Sequence, residues 1–388
     1  METAKLEPSA GRAEGLLMKA SNGAYYQGLD HIRAVAAILV YCWHVLHFYV
    51  PPQYHPPSMV LSWFEEGHTG IALFMALSGY LFAKLTDGQQ IDIWNFFWNR
   101  ACRLLPLFAV MYAVYAVTEH YTLDALIRGF LVATEWPGAS WSLAIELQFY
   151  LVFPALHWLR KQRGDCTANV TLAAILVACV AVRAVLWFKS GSVEYFAYWS
   201  ILGRADQLIM GMLFYDISKT SLLREHRGAL LAATATVVLL TFHWLNLVGG
   251  CFDAFPQTSS SSHWVWLPLF EGASYGCLIM CYDTMSWRFT GWASDALAKL
   301  GELSYSIYMI HSVLVVGLLW QIVPRETPLW VAVAASAAFF LVVILLARLS
   351  YLYIEKPFLR YRRPYLTSLA QPAPTARYIG IKVDDALA

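Results

Sequence analysis

Apolar residues gather into long runs along this 388-residue chain. A helix needs about 20 mainly apolar residues to cross a bilayer, and ten runs approach that length. The sixth is the weakest, because Arg204 and Asp206 interrupt it. The ten predicted spans are Ala34–Val50, Gly67–Ala83, Leu104–Thr118, Trp141–Leu159, Ala168–Phe188, Phe196–Tyr215, Gly228–Val248, Trp264–Tyr282, Leu303–Val323 and Leu329–Ser350. The pattern predicts an all-α fold, a polytopic membrane helix bundle of about ten transmembrane helices.

The basic residues give this bundle an orientation. With the N-terminus in the cytoplasm, 21 of the 27 Lys and Arg residues fall on cytoplasmic segments, 3 on outer loops and 3 within spans. Cytoplasmic loops of membrane proteins are enriched in Lys and Arg. We therefore expect both termini to be cytoplasmic. The predicted organisation is a tail of residues 1–27, a membrane domain of residues 28–360 and a second tail of residues 361–388.

The composition excludes several classes of protein. Charged residues make up 14% of the chain and apolar residues 59%, whereas a soluble protein carries about 25% charged residues. An intrinsically disordered chain, a basic nucleic-acid-binding domain and an ordinary soluble enzyme are all excluded. The seven cysteines include no C-x-x-C pair, and the scattered histidines lack ligand spacing. We therefore expect neither a disulfide framework nor a metal site.

The strongest chemical pattern lies in the first span, where Arg33 and His44 are eleven residues apart. Eleven helical steps of about 100° return almost to the same face and rise about 16 Å. Arg33, with Asp30 one turn before it, would lie at the cytoplasmic end and His44 deeper in the span. An imidazole titrates near neutrality and can accept a hydroxyl proton. The spacing alone also fits a packing histidine and an interfacial arginine.

A second basic pattern precedes the third span. Arg100 and Arg103 have i, i+3 spacing and share a helical face at the cytoplasmic surface. Two guanidinium groups so placed can bind the phosphates of a cytoplasmic ligand. Anchoring of the helix end by positive charge explains the same pair equally simply.

Two later spans carry polar stripes. Ser142 and Glu146 have i, i+4 spacing near the start of the fourth span. Ser304, Tyr308 and His311 recur at i, i+4 and i+7 in the ninth span. Ionisable side chains inside a membrane are costly and often functional, but a polar stripe lines either a cavity or a neighbouring helix.

Taken together and in order, six segments resemble acyltransferase family 3, the bacterial integral-membrane O-acyltransferases. The resemblance covers residues 28–360. It departs from the usual pattern at His31, where glycine is common, and at Asn99, where arginine is common. The matching segments are Gly28–Ala37, Gly67–Leu81, Asn99–Pro106, Trp141–Pro154, Leu300–His311 and Glu355–Arg360.

The resemblance implies transfer of an acyl group, usually acetyl, from cytoplasmic acetyl-CoA or another acyl-CoA. The acceptor would be a hydroxyl of a cell-surface or exported glycan or glycolipid, such as lipopolysaccharide, exopolysaccharide or peptidoglycan. The enzyme would be a multi-pass protein of the cell inner membrane, with the lipid bilayer and the glycan as partners. The same chemistry on an antibiotic or a lipo-oligosaccharide signal is one alternative. A proton-coupled transporter is the alternative from another class.

The resemblance also assigns roles. His44 would act as the base on the acceptor hydroxyl, with a covalent acyl-histidine as the alternative, and Arg33 would hold an anionic part of the donor or an acidic partner. Arg100 and Arg103 would bind the CoA phosphates, and Glu146 would orient His44 or the acceptor. The other residues expected to line the substrate path are Asp30, Trp141, Ser142, Ser304, Tyr308 and His311.

Overall fold

A computed structural model describes residues 26–49, 57–130, 136, 138–221, 224–252, 259–285 and 289–368, without the side chains of residues 139, 162–166 and 316. Most of the two predicted tails lies outside this range. The helices are α1 (Gln27–Tyr49), α2 (Met59–Glu65), α3 (Gly70–Thr86), α4 (Ile93–Thr118), α5 (Leu123–Gly129), α6 (Trp141–Ser190), α7 (Glu194–Trp199), α8 (Ile201–Lys219), α9 (Arg227–Leu247), α10 (His263–Thr284), α11 (Trp292–Glu302), α12 (Ser304–Leu314), α13 (Trp320–Ile322), α14 (Leu329–Ser350) and α15 (Lys356–Leu359).

The helical membrane fold is confirmed. Among the described residues, nine segments are helical, long enough and apolar enough to cross a bilayer. Two of them run through π-helical turns, at Val315–Leu319 and at Tyr351–Glu355. Apart from two three-residue strands, β1 (Gln89–Ile91) and β2 (Leu366–Ser368), these residues contain no sheet.

The 50-residue helix α6 contains two of the nine segments and turns back on itself between them. In its first half, Trp141 packs on Trp199 just before α8, and Arg160 pairs with Asp216 near the end of α8. In its second half, Arg183 pairs with Asp206, back towards the start of α8. Both halves therefore lie along α8 in opposite directions. The fourth and fifth spans predicted from the sequence form this helical hairpin.

Helix α8 corresponds to the sixth span predicted from the sequence, and its charges exclude it from the nine segments apolar enough to cross a bilayer. The two ends of α8 lie beside the two ends of the first half of α6. Helix α8 also packs closely on α3 and α10. A Cβ on Gly79 would lie 1.9 Å from the carbonyl oxygen of Leu208, and one on Gly211 would lie 2.0 Å from that of Ala76. Glycine thus permits a backbone-to-backbone crossing of α3 and α8, as small residues do in membrane helix pairs.

The charges that interrupt the sixth predicted span are paired inside the protein. Arg183 donates to both carboxylate oxygens of Asp206, at 2.9 and 2.5 Å, and both side chains are fully buried. Arg204 lies 3.8 Å from Glu271 and covers the ring of Tyr198 at 4.2 Å. A buried charge must be neutralised and hydrogen-bonded, and here each cation has a carboxylate partner. These pairs hold α8 between α6 and α10.

The segment after α15, which we call the strap (residues 361–368), is tied to the start of α4. Asn99 donates to the carbonyl of Arg363 at 2.6 Å and accepts from its N–H at 2.7 Å. Trp98 donates to the carbonyl of Tyr361 at 2.8 Å, and β2 pairs antiparallel with β1. The first residues of the predicted C-terminal tail are therefore fixed against the helical bundle.

Candidate functional site

A cavity of about 220 Å³ lies between α1, α3, α4, α6 and α12. Arginines line one part of it, apolar side chains line its walls, and the hydroxyl groups of Ser142 and Tyr308 line another part. Of the residues predicted for the site, eight line this cavity. They are Asp30, Arg33, Arg100, Arg103, Ser142, Glu146, Ser304 and Tyr308. The structure thus brings together predicted site residues from four helices, α1, α4, α6 and α12.

The three predicted arginines have different neighbours. Arg33 pairs with Asp30 one turn away on α1. Arg103 donates to Glu355 at 2.9 Å, and that carboxylate is fully buried. Arg100 lies over the ring of Phe82 at 5.2 Å, and its buried Nε–H has no hydrogen-bond partner within the described part of the chain. A half-buried guanidinium with an unused donor is suited to hold an anion that enters the cavity.

The strap adds a fourth arginine, Arg362, which also lines the cavity. Burial and the nearby charges of Arg100 and Arg103 lower the pKa of Arg362 from its ordinary value. A set of like charges held this closely favours a polyanion. Sequence reasoning placed Arg362 in a tail. The sequence feature that points to Arg362 is Asn99. It replaces the arginine usual in the motif, and its side chain fixes the backbone of Arg363, next to Arg362.

Glu146 belongs to the arginine side of the cavity. It accepts a hydrogen bond from Tyr150 one turn later on α6, and it interacts electrostatically with Arg100, Arg103 and Arg33. The family resemblance predicts that Glu146 orients His44 or the acceptor. In the structure its hydrogen-bond partner is Tyr150, and His44 is contacted by another residue.

That residue is His311, whose Nε2 lies 3.3 Å from Nδ1 of His44. Nδ1 of His311 faces the carbonyl of Tyr308 at 2.6 Å, and Nδ1 of His44 faces the carbonyl of Val40 at 2.9 Å. A carbonyl only accepts, so each Nδ1 carries the proton in the neutral ring. Nε2 of His311 then accepts from Nδ1–H of His44. This arrangement leaves the Nε2 lone pair of His44 as the basic position of the pair.

Tyr308 connects the histidine pair to the cavity. Its ring lies 5.6 Å from that of His311, and its hydroxyl oxygen accepts from Ser142 at 2.7 Å. Because Ser142 supplies that hydrogen, the phenolic hydrogen of Tyr308 remains to be donated to another group. A donor so placed can stabilise negative charge that develops on an oxygen in the cavity.

Trp141 does not line the cavity. It is buried in an aromatic cluster with Tyr198 and Trp199, and the guanidinium of Arg204 lies 5.9 Å from its ring. Its place at the start of α6 supports the fold around the site rather than the site itself. The sequence signal that grouped it with Ser142 was adjacency, and adjacent helical residues face different directions.

The fold and site define a polytopic membrane protein with a cationic cavity and, next to the cavity residue Tyr308, a pair of histidines. The chain belongs to acyltransferase family 3, whose sequence model, described as an acyltransferase domain, matches residues 26–348. The resemblance seen in the sequence is thereby confirmed. No solved structure matches the chain.

Named relatives are similar along most of the chain. YrhL of Bacillus subtilis, provisionally named a peptidoglycan O-acetyltransferase, is 25% identical over 87% of this chain and 56% of its own length. BcsY of Komagataeibacter xylinus, provisionally named a membrane-bound transacylase, is 25% identical over 86% of this chain and 83% of its own. The O-acetyltransferase OatA of Staphylococcus aureus is 24% identical over 88% and 58%. The chain spans little more than half the length of YrhL and OatA.

Proposed function

We propose that this protein transfers an acyl group, in the first instance acetyl, from cytoplasmic acyl-CoA to a hydroxyl of a cell-surface or exported glycan or glycolipid. The observation that carries the proposal is one cavity that joins four arginines to the hydroxyl of Tyr308, beside the His44–His311 pair. The names of YrhL and OatA, which refer to O-acetyl transfer, support the same reaction class.

The arginine side of the cavity suits the donor. Phosphates of CoA would lie among Arg33, Arg100 and Arg362, because guanidinium groups bind phosphate oxygens through paired N–H donors. Arg33 shares its charge with Asp30 and Arg103 shares its charge with Glu355, so Arg100 and Arg362 would contribute most. The apolar walls between, which include Phe74 and Leu81, suit an uncharged arm that ends in a thioester.

The histidine side suits the transfer step. Nε2 of His44 takes the proton of the acceptor hydroxyl as its oxygen attacks the thioester carbonyl carbon. The carbonyl oxygen becomes an oxyanion, which the phenolic hydrogen of Tyr308 stabilises. When the tetrahedral intermediate collapses, the carbon–sulfur bond breaks and the CoA thiolate receives the proton from Nε2 of His44. The ester forms, and the histidine pair returns to its neutral state.

The acceptor is proposed as a glycan or glycolipid on the outer side of the cell inner membrane. This choice rests on the names of YrhL and OatA and on the predicted orientation of the chain. Mass spectrometry of surface glycans from a deletion strain should show the loss of an acyl group. Unchanged glycans, together with a changed secreted small molecule, would favour the antibiotic or lipo-oligosaccharide alternative.

Substitution of His44 tests the proposed chemistry. Membranes that contain the His44→Ala variant should transfer no label from labelled acetyl-CoA to acceptor, a loss of at least about 100-fold for a general base. His226→Ala is the matched control, because His226 is exposed at the short turn before α9 and should leave transfer unchanged. Transfer at the wild-type rate by His44→Ala would overturn the assignment. Uptake of a solute by vesicles without any acyl transfer would favour a transporter.

A further inference from the structure

A second cluster of polar side chains lies outside the donor cavity, beside Leu39 and Trp43 in the middle of α1. Glu66 and His68 belong to the turn that opens α3, and Cys251 belongs to the loop between α9 and α10. One ligand atom from each of these three residues lies within 4.8 Å of the other two. The cluster forms only in the fold, because Cys251 is far from the other two along the chain.

All three side chains are withdrawn from solvent, with exposed fractions of 5% for Glu66, 1% for His68 and 0% for Cys251. The carboxylate of Glu66 contacts Nε2 of His68 at 3.1 Å and accepts from the backbone N–H of Cys251 at 3.0 Å. Nδ1 of His68 has no hydrogen-bond partner in the described part of the chain. A fully buried ring nitrogen without a partner needs an explanation, and a bound ion is one.

The immediate surroundings are mainly aromatic. The rings of Trp43, Tyr198, Phe252 and Trp264 all lie within 6.2 Å of the His68 ring. Trp264 donates to the carbonyl of Cys251 at 3.1 Å and so fixes the loop. These contacts hold the three ligand residues in place, as the outer shell of a metal site must.

We propose that Glu66, His68 and Cys251 bind one Zn²⁺ ion. A carboxylate, an imidazole and a thiolate together are a donor set typical of Zn²⁺. One carboxylate and one thiolate cancel the charge of a divalent cation, so the complex is neutral in its apolar surroundings. In tetrahedral zinc sites ligand atoms lie about 3.5 Å apart, so the cluster needs to contract by only about 1 Å. The ion ties the loop before α10 to the start of α3.

This proposal departs from the absence of metal expected from the sequence. That expectation came from the spacing of the histidines, and His68 has no other histidine or cysteine at ligand spacing. The glycine that precedes Cys251 is the remaining signal. Gly250 has a φ of +85°, and a Cβ on it would lie 2.9 Å from the Glu66 carboxylate. The close approach of the loop to Glu66 thus requires glycine.

The first test is metal content. The full chain, purified in detergent without a polyhistidine tag and loaded with Zn²⁺, should retain about one zinc per chain after dialysis. Glu66→Gln and Cys251→Ala should each retain less than a tenth of that amount. Cys179→Ala is the matched control, because Cys179 is also buried but lies in α6, and it should retain zinc. Zinc-free wild-type protein, or equal zinc in all variants, would overturn the proposal.

Cobalt loading tests the ligands directly. A Co²⁺–thiolate bond gives a charge-transfer absorption band, which should appear in wild type and in Cys179→Ala and be absent in Cys251→Ala. A chelator should lower the unfolding temperature of wild type and leave that of Glu66→Gln unchanged. Glu66→Gln differs from wild type by a single atom, so it separates loss of metal from failure to fold. The same band in Cys251→Ala would contradict the proposed ligand set.

Discussion

At the residue scale, the two histidines of the His44–His311 pair have different roles in the proposed reaction. His44 offers a basic Nε2, whereas Nε2 of His311 is occupied by the Nδ1–H of His44. His311 is therefore a positioning residue in the proposed reaction. Together with the carbonyl of Val40 it fixes the ring orientation of His44, as a carboxylate does in other catalytic pairs.

Replacement of His311 should affect turnover and leave donor binding unchanged. His311→Ala removes one of the two acceptors of Nδ1–H of His44 and leaves the carbonyl of Val40, and we expect kcat to fall about 100-fold through misplacement of the base. His311→Gln keeps an oxygen near the position of Nε2 and should recover part of that loss. Steady-state kinetics with acetyl-CoA would show kcat reduced at constant KM. A variant His311→Ala with the kcat of wild type would refute the positioning role.

At this scale, the residues of the candidate site were easier to predict from the sequence than the contacts between them. Arg33, His44, Ser142, Tyr308 and His311 were all singled out from spacing and resemblance. Spacing relates residues on one helix only, so it could predict Arg33 beside Asp30 but not His44 beside His311. The same limit hid the buried partner of Arg103, Glu355, because that pair joins α4 to the turn after α14.

At the element scale, the strap completes the wall of the arginine-lined cavity, the proposed donor site. Residues 361–368 contribute Arg362 to the cavity, and Asn99 and Trp98 of α4 hold the strap in place. Donor affinity should therefore depend on a segment that lies outside every membrane helix.

Substitution of two arginines, Arg362 in the strap and Arg360 just before it, tests this dependence. Arg362→Ala should raise the KM for acetyl-CoA about 10-fold with little change in kcat, because it removes binding common to ground and transition states. Arg360→Ala is the control, since Arg360 is exposed and donates to the neighbouring Tyr361. Equal KM values for the two variants would show that the strap does not bind the donor.

The crossing of α3 and α8 gives a second prediction at this scale. A methyl group on Gly211 would lie 2.0 Å from the carbonyl oxygen of Ala76, so Gly211→Ala should force the helices apart and lower the unfolding temperature. Gly228→Ala meets nothing within 4 Å and should be neutral or stabilising by about 0.5–1 kcal/mol, because alanine favours the helix. Thermal unfolding in detergent compares them, and a Gly211→Ala protein as stable as Gly228→Ala would contradict the described crossing.

At the scale of the whole molecule, the class of fold followed from hydropathy because the bilayer imposes a length on every span. The arrangement of the spans did not follow. Arg183, Arg204 and Asp206 lowered the hydropathy of their helices, and only the fold shows that they pair across α6, α8 and α10. The charges that make α8 the weakest predicted span are therefore the ones that hold it between α6 and α10.

The distribution of Lys and Arg predicts which face of the membrane receives the donor. Inside-out vesicles, which expose the cytoplasmic face, should incorporate label from external acetyl-CoA. Sealed right-side-out vesicles should do so only after permeabilisation, because the arginine side of the cavity would face their lumen. Scintillation counting of the washed glycan fraction provides the measurement. Equal incorporation by both intact preparations would contradict the predicted orientation.

The strap also affects the chain before it is a finished protein. Arg103 and β1 are made in the first third of synthesis, whereas Glu355, Arg362 and β2 leave the ribosome much later. Until then Arg103 lacks its buried partner, the carboxylate of Glu355, and the cavity lacks part of its wall. A chain terminated before Glu355 would contain both histidines of the pair but would lack Arg362 and so part of the proposed donor site. Translation itself therefore delays the assembly of the proposed donor site until the last membrane helix is in place.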